Sequence, residues 1–555
     1  MQQILHLQKS LQKAAQYISR TQQYDGSFPS ESKNICTKTT KLHTTIFFNA
    51  EALYLLGQIN GINELHQAKH RLAQFILSQK APDGSFNYWC KASEKQSIPN
   101  DIDDTACAIL ALIENLPTSV AARLLPPFIN LVKKQNDNGK INTWFTKGAY
   151  KNDYDIIVQL NVKAALKSLG ICFPVHNPNQ YLLKNWHSKS RYYVDIFYCS
   201  YLASRSSTVF DQSPLIRELA HPTNPWQLAI SLTVLKQKPT TQHVEFLLKS
   251  QHSDGSWQGQ IVVLEGFTSK EKQTFSSSKV LATLFIINIF QNHLIYNEDI
   301  RLARLLSSVN TGPPPKPGTL NFYLVTIPLL IFRHSTKTQR FTDYRSLATA
   351  SLSGLYGLQW LNAVIDKKFH AVADNNTSAE SLIRFITYYL SKTSPRDFKR
   401  FLVSSLFHQF IPPENSSYLL QYRSTYEKRI RIAYAISETM INDCGAVFSR
   451  QFKQLLELTF VIRSISDDIH DLNSDIKNNN ATGTVALAKD YGLKAAVLLS
   501  YARIIRLTEK VQKDFFTKTD LTPYEYHTMR VLKRSYVRAK EAYLSEKIAR
   551  ALRLS

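Results

Sequence analysis

Residues Gln79-Lys80-Ala81-Pro82-Asp83-Gly84-Ser85-Phe86 decide the reading of this chain, because they recur. Gln22-Gln23-Tyr24-Asp25-Gly26-Ser27-Phe28 and Gln251-His252-Ser253-Asp254-Gly255-Ser256-Trp257 are near copies. A weaker copy runs from Gln135-Asn136-Asp137-Asn138-Gly139 to Trp144. The glycines at 26, 84, 139 and 255 lie 58, 55 and 116 residues apart, the last interval close to two periods, so one copy near 198 is degenerate or missing. A fixed period of this size signals a repeat architecture. Asp-Gly is turn chemistry, with glycine supplying a positive φ, and the aromatic that follows can pack back on the next helix. Between copies lie apolar helical patterns. Ala106, Ile109, Leu110 and Ile113, at i, i+3, i+4 and i+7, predict an amphipathic stripe, whereas Ala52, Leu53, Leu55 and Leu56 are apolar on more than one face. Each repeat reads as helix, turn, aromatic plug, helix. Copies stacked in a closed ring would give an α/α toroid with a central cavity.

Asp101-Ile102-Asp103-Asp104-Thr105-Ala106 places three carboxylates within four positions, directly before the apolar run Cys107 to Ile113. Such a cluster beside core residues is costly unless water, metal or chemistry uses it. At a helix start Asp101 and Asp104 share a face, and Asp103 points elsewhere between two like charges. Crowded carboxylates in a partly apolar site cannot all ionise, so one proton is held more tightly than usual. Its holder is a candidate general acid for a weakly basic group. The same residues also read as an N-cap aspartate with two acids favoured by the helix dipole.

At 555 residues the chain is too long for one ordinary core. Its 44% hydrophobic and 20% charged residues are those of a globular protein, with 27 Tyr, 29 Phe and 6 Trp. The net charge of +24 favours anionic partners in general. No nucleic-acid-binding signature accompanies it, so nucleic acid is not an expected partner. The six cysteines form no CxxC pair, which implies neither a zinc site nor a disulfide framework and fits a reducing, cytoplasmic setting. The polar, Gln-rich start does not read as a signal peptide, and the longest apolar run, about 323–332, is too short to span a bilayer. A soluble protein, at most peripheral to a membrane, is expected.

The Gln…Asp-Gly-Ser-Phe/Trp copies resemble the QW repeat of terpene cyclases, and Asp101-Ile102-Asp103-Asp104-Thr105-Ala106 resembles the DxDD motif of class II cyclases. The resemblance covers roughly residues 1–310. It implies the α/α barrel called the β domain, with Asp103 as the Brønsted acid and Asp101 and Asp104 as its supporting partners. Asp103 would protonate a terminal alkene or epoxide and start a cationic ring closure. A carbocation needs an apolar, aromatic-lined, water-poor cavity. Tyr88, Trp89, Trp144, Phe145, Tyr192, Tyr193, Phe197, Tyr198 and Trp226 are candidates for its lining. Most class II cyclases carry a second barrel inserted near the start of the first. Here only 75 residues separate Gly26 from Asp101, which leaves no room for one. Protein prenyltransferase β subunits share the toroid, but their Asp/Cys/His zinc constellation does not stand out.

Thr311-Gly312-Pro313-Pro314-Pro315-Lys316-Pro317-Gly318 reads as a stiff linker between a domain at 1–310 and a second, helical domain at 319–555. In the second domain Asp467, Asp471 and Asp475 fall at i, i+4 and i+8, with Asp468 beside Asp471. Oxygen-only clusters of this kind suit Mg²⁺. Asp467-Asp468-x-x-Asp471 resembles the second aspartate-rich motif of trans-isoprenyl diphosphate synthases and class I terpene synthases. That resemblance implies Mg²⁺ held by Asp467, Asp468 and Asp471 on a substrate diphosphate, with Arg423, Lys428, Arg429 and Arg463 as basic contacts. The matching first motif is degenerate, with Asn362, Ala363 and Asp366 at its ligand positions. The basic stretch from Arg530 to Arg553 reads as a solvated or anion-facing helix. The expectation is an all-α, two-domain terpene cyclase acting on a prenyl diphosphate. Its rivals are a chain-lengthening prenyl transferase with the toroid as scaffold, and a non-catalytic toroid in which Asp103 is exposed. Chain length, ring pattern and oligomeric state are not readable from sequence.

Overall fold

The helices of the first half fall into two layers, and five of the inner ones open with a capping side chain. The computed structural model describes residues 2–308, apart from 35–36, 60–61, 94–97, 138, 146–153, 170, 172–189 and 266–273. It also describes Thr349, and residues 450–554 apart from 478–482 and 517–522. The chain divides into two compact units, Met1–Ile295 with Leu544–Ser555, and Tyr296–Tyr543. The Pro-rich stretch 311–318 and the degenerate motif at Asn362, Ala363 and Asp366 lie outside the described residues, as do Arg423, Lys428 and Arg429.

In the first unit α1 (Gln2–Thr21) leads to strands β1 (Ser30–Asn34) and β2 (Thr40–His43). Helices α2 (Ile46–Gln58), α3 (Asn63–Gln79), α4 (Ile102–Asn115) and α5 (Thr118–Gln135) follow. A short hairpin, β3 (Asn136–Asp137) with β4 (Lys140–Ile141), precedes α6 (Ile156–Ser168) and α7 (Ile196–Arg205). Then come α8 (Ser213–Ala220), α9 (Pro225–Val234), α10 (Thr241–Lys249), β5 (Ile261–Leu264), β6 (Thr274–Ser277) and α11 (Lys279–Ser307).

Helices α2, α4, α6, α7 and α9 open with Thr45, Asp101, Asp155, Asp195 and Asn224, whose side chains accept first-turn N–H groups. Such caps satisfy donors that would otherwise be buried without partners. These helices form an inner layer: α2 packs on α4, α4 on α6, α6 on α7, and α7 on α9. The layer continues through α11, where Phe285 meets Trp226 of α9 edge-on at 5.4 Å. It closes where Asn288 of α11 donates to Gln58 of α2 at 2.9 Å. An antiparallel sheet in the order β2-β1-β6-β5 ties the segment before α2 to the segment before α11. The first and last repeats thus meet, and the helices form a ring.

The inner helices are buried all round. Every residue of α4 from Ile102 to Ile113 is buried, so the one-sided stripe expected for it is corrected. Ala106, Ile109, Leu110 and Ile113 do face the core, but so do Cys107, Ala108, Ala111 and Leu112, because α2, α6, α3 and α5 all pack on this helix. One-sidedness belongs to the outer helices. On α5, Ala121, Leu124, Leu125, Phe128 and Val132 are buried while Arg123, Lys133 and Lys134 lie off that face. The fold is mostly helical, as expected, and one small four-stranded sheet is added to the helices. Its first strands, Ser-Glu-Ser-Lys-Asn and Thr-Lys-Leu-His, are short and polar and carry no strand signature.

The repeated motif is a clamp. Asp25, Asp83 and Asp254 each accept the N–H and the hydroxyl of the serine two residues on. Gln22 donates to Gly26 O and to Ala68 O of α3, both at 2.8 Å, and Gln251 donates to Gly255 O and Ser10 O, both at 3.0 Å. The aromatic's N–H then goes to a polar side chain on the next inner helix: Phe28 to Asn49, Phe86 to Thr105, Trp257 to Thr283. The clamps at Gln22 and Gln251 therefore join an outer helix, a turn and an inner helix with buried backbone groups satisfied, whereas Gln79 donates to Ser78 instead.

In the second unit α12 (Arg450–His470), α13 (Leu472–Lys477), α14 (Gly483–Tyr491), α15 (Leu493–Phe516) and α16 (Pro523–Leu554) enclose a core that includes Leu455, Ile462, Ile465, Ile504 and Val511. The solvated basic surface expected at the C-terminus is confined to one face of its helix. Leu532, Tyr536 and Ala539 of α16 are buried in this core, and Lys540 lies over the Tyr536 ring at 5.2 Å. Arg534 and Arg538 keep the exposed face.

Gly26 has φ +92°, and a Cβ there would stand 2.6 Å from Arg71 O, a backbone atom that cannot swing away. Gly26→Ala is therefore expected to cost at least about 2 kcal/mol, from left-handed strain plus overlap. Denaturant unfolding of the variant checks it; a loss under half that would show the turn to be adaptable.

Candidate active site

The aspartate triplet is held by two neighbouring repeats. Asp101 is extended, with φ −138°, and forms bridges to Phe86 on one side and Trp144 on the other. Its N–H donates to Phe86 O at 3.2 Å, and the next N–H, of Ile102, donates to Thr143 O at 2.9 Å. Asp101 Oδ1 accepts the Asp104 N–H at 2.7 Å, so the capping role read from the sequence is part of the structure. Asp101, Asp103 and Asp104 are 2%, 9% and 4% exposed, which places all three carboxyls out of bulk water.

Burial decides their protonation. Asp104 Oδ1 receives no N–H or O–H donor. An acceptor left bare in the interior beside another carboxyl is best satisfied by a proton shared with it. Burial and the neighbouring Asp101 charge push Asp104 well up, and burial also raises Asp101. We assign the pair one proton, carried mainly by Asp104, because Asp101 Oδ1 has the Asp104 N–H to stabilise its charge. Asp103 lies between two opposed influences. Burial and the Asp101 charge raise it, while hydrogen bonds from Tyr193 and Asn161 lower it, and the balance leaves it at about 7. The Tyr193 hydroxyl donates to Asp103 Oδ2 at 2.6 Å, and Asn161 Nδ2 donates to Oδ1 at 2.8 Å. Each oxygen retains a second lone pair on which the acidic proton can reside.

The aromatic candidates divide by role. Tyr193 touches the acid itself and meets Phe47 edge-on at 5.6 Å. Tyr198 stacks on Trp226 at 5.7 Å and meets Phe47 edge-on at 6.2 Å. Trp144 flanks Asp101 and donates to the Tyr192 hydroxyl at 3.0 Å. Tyr88 lies edge-on to Trp89 at 4.9 Å and donates to Glu265 at 2.9 Å. Phe197 is buried on α7, and Phe145 is half-buried with its N–H on Asn100 O. Sequence reasoning missed Phe47, Asn161, Glu51 and Arg205. The available signal was a polar residue inside an apolar helical run: Glu51 in Phe47-Phe48-Asn49-Ala50-Glu51-Ala52-Leu53, and Asn161 in Val158-Gln159-Leu160-Asn161-Val162.

The acidic stripe of the second unit is not gathered in one place. Asp467 is half-buried and pairs with Arg463 at 2.7 Å, Asp468 is buried, and Asp471 is exposed at the break between α12 and α13. Among the described residues no three His, Cys, Asp or Glu side chains converge to hold a metal. Arg463 is paired with Asp467, and the companion motif at Asn362, Ala363 and Asp366 lies outside the described residues. Also among the described residues, no helix is long and apolar enough to cross a membrane, and Cys90, Cys107 and Cys199 are buried.

No protein-family profile and no curated protein matches the chain. Among solved structures it is similar to a protein from Actinoplanes, at 14% identity and a TM-score of 0.40, over 52% of this chain and 99% of that one. It is also similar to type II terpene cyclase MstE from Scytonema. A variant of that enzyme in complex with geranylgeranyl dihydroxybenzoate aligns at 14% identity and a TM-score of 0.41, over 52% of this chain and 98% of that one. The apo enzyme aligns at 14% identity and a TM-score of 0.38, over 52% and 97%.

Because the folded state holds the Asp103 proton up to about 7, against an ordinary value of 3.8, the native protein binds one proton more than the unfolded chain between those limits. That stabilisation is complete below pH 4 and is lost as pH rises through 7, by at most about 1.4 kcal/mol per pH unit. Asp103→Asn should flatten the fall of unfolding free energy over this range. Parallel pH profiles of the two proteins would refute the burial-driven shift.

Proposed function

We propose that the first unit is a class II terpene cyclase in which Asp103 protonates a linear isoprenoid and so begins ring closure. The observation that carries the reading is the set of three buried carboxyls on one helix start, with Asp103 held by Tyr193 and Asn161 beside the Phe47 and Tyr198 rings. The Asp103 O–H bond breaks as the π electrons of a terminal alkene take its proton, forming a C–H bond and a tertiary cation. An internal alkene then attacks that cation, and the final cation loses a proton from carbon. Asp103 regains its proton from solvent. For an epoxide, the proton goes to oxygen and the C–O bond opens. Aromatic faces favour the cationic intermediates, and exclusion of water protects them from capture.

The substrate class is a prenyl diphosphate of sesqui- to diterpene size. A second unit that holds the diphosphate end through Mg²⁺ at Asp467, Asp468 and Asp471 would add a binding step, and the companion positions Asn362, Ala363 and Asp366 lie outside the described residues. Burial of Asp103 runs against the reading of a non-catalytic toroid with an exposed aspartate.

The test is incubation of the full chain with geranyl, farnesyl and geranylgeranyl diphosphates, and with geranylgeranyl dihydroxybenzoate as a diphosphate-free probe. Cyclic products identified by mass spectrometry should fall roughly 10²- to 10⁴-fold in Asp103→Asn. Turnover should decline as pH rises through 7, because the acid must be protonated. An unchanged product profile in the variant would remove the assignment.

A further inference from the structure

Behind Asp103 a line of polar side chains crosses the middle of the helical ring. Arg205 ends α7 and Glu51 lies on α2, and their side chains are 4% and 1% exposed. Arg205 Nη1 donates to both Glu51 oxygens, at 2.8 and 2.9 Å. Its guanidinium lies over the rings of Tyr54 and Tyr201, at 5.2 and 5.1 Å. Arg205 Nη2 donates to Asn161 Oδ1 at 3.0 Å. Asn161 then spends its Nδ2 on Asp103 Oδ1 at 2.8 Å and on the Tyr193 hydroxyl at 3.2 Å.

An asparagine amide has nearly the same shape in either orientation, and its neighbours decide which is used. A guanidinium can only donate. Asn161 must therefore turn its oxygen to Arg205 and its NH₂ to Asp103. The reversed amide would set N–H against N–H at one end and oxygen against the Asp103 carboxylate at the other. Without Arg205 the first conflict disappears. The second disappears too whenever Asp103 is protonated, because its O–H can donate to the reversed oxygen. That alternative stabilises the neutral acid and makes it a weaker proton donor.

We propose that the Glu51–Arg205 pair is a positioning device for the proton donor, locking the Asn161 amide so that Asp103 meets only hydrogen-bond donors. This deepens the reading of Asp103 as the initiating acid and rests on it. With Asn161 on Oδ1 and Tyr193 on Oδ2, the carboxylate left after proton transfer has a donor on each oxygen, which lowers the cost of giving the proton to carbon. An ion pair in the middle of the ring has no comparable structural use, since apolar residues of similar volume generally serve stability as well or better. Glu51 holds Arg205 in place and cancels its charge, so the pair acts through the amide rather than through its own field. The other titratable groups facing Asp103 are Asp101, Asp104 and Cys107 on its own helix start, Asp155 at the start of α6, and Tyr193 before α7.

The test is Glu51→Leu/Arg205→Met, which removes both charges together and leaves no buried charge unpaired, with circular dichroism and thermal unfolding to show that the fold survives. The Asp103 carboxyl is titrated by isotope-edited infrared spectroscopy in aspartate-labelled full-length protein, with Asp103→Asn identifying its band. The midpoint should rise by about one unit in the double variant. Asn161→Leu, which deletes the locked amide and keeps its volume, should raise it as well, and the two changes should not add. An unmoved or lowered midpoint in either folded variant overturns the lock. The titration needs no substrate, so it stands apart from the cyclase reading. A raised midpoint in a protein that yields no protonation-initiated product keeps the lock and rejects that reading, while Asp103-dependent cyclisation with an unmoved midpoint rejects the lock alone.

Discussion

Three carboxyl groups withdrawn from water within one helical turn cannot all carry charge, and the first unit is arranged around that restriction. Asp101 caps α4, burial and the Asp101 charge push Asp104 well up, and Asp103 is held between burial and its two donors. Burial costs far more than a surface position would, and the structure meets that cost locally. Each Asp103 oxygen has a donor, and the donors are held in turn by Arg205 and by the segment ahead of α7. A buried acid near neutrality is a state that few other arrangements of aspartate would produce.

The repeat places the triplet. The clamp turns set the starts of α2, α4 and α11, because each delivers its chain into the next inner helix through a single backbone-to-side-chain bond. Asp101 belongs to this machinery twice, as the cap of α4 and as the residue bridging the turns on either side. The same constraint that closes the ring thus fixes the acid's position. The sheet joining β1 to β6 performs the matching task for the first and last repeats, with Glu31 opposite Ser277.

Much of this was legible in the residues. The periodic Asp-Gly turns announced the helical repeat because glycine at positive φ is a local requirement, and Asp101, Asp103 and Asp104 stood out because charge beside a core run is costly. What stayed hidden depends on contacts between distant segments. Arg205 and Glu51 are 154 residues apart, and Asn161 and Asp103 are 58 apart, so no local pattern links them. The burial of α4 on every face was misread as a stripe because Ala and Cys between the larger apolar residues carry little periodic signal. The sheet was missed because its strands are polar and gain their pairing from the far end of the unit. In the second unit the acidic spacing of Asp467, Asp471 and Asp475 follows the backbone turn by turn, with the Asp471 N–H on Asp467 O and the Asp475 N–H on Asp471 O, both at 2.8 Å.

The most direct measurement of the central claim is the fate of solvent hydrogen. With a prenyl diphosphate carrying only alkenes, turnover in deuterium oxide should place one non-exchangeable deuterium on the alkene carbon that Asp103 protonates, and the cyclic product should carry it where the ring closure began. A cyclic product of that substrate free of deuterium would mean that the reaction starts by losing a leaving group rather than by gaining a proton, which contradicts the role of Asp103 as the initiating acid.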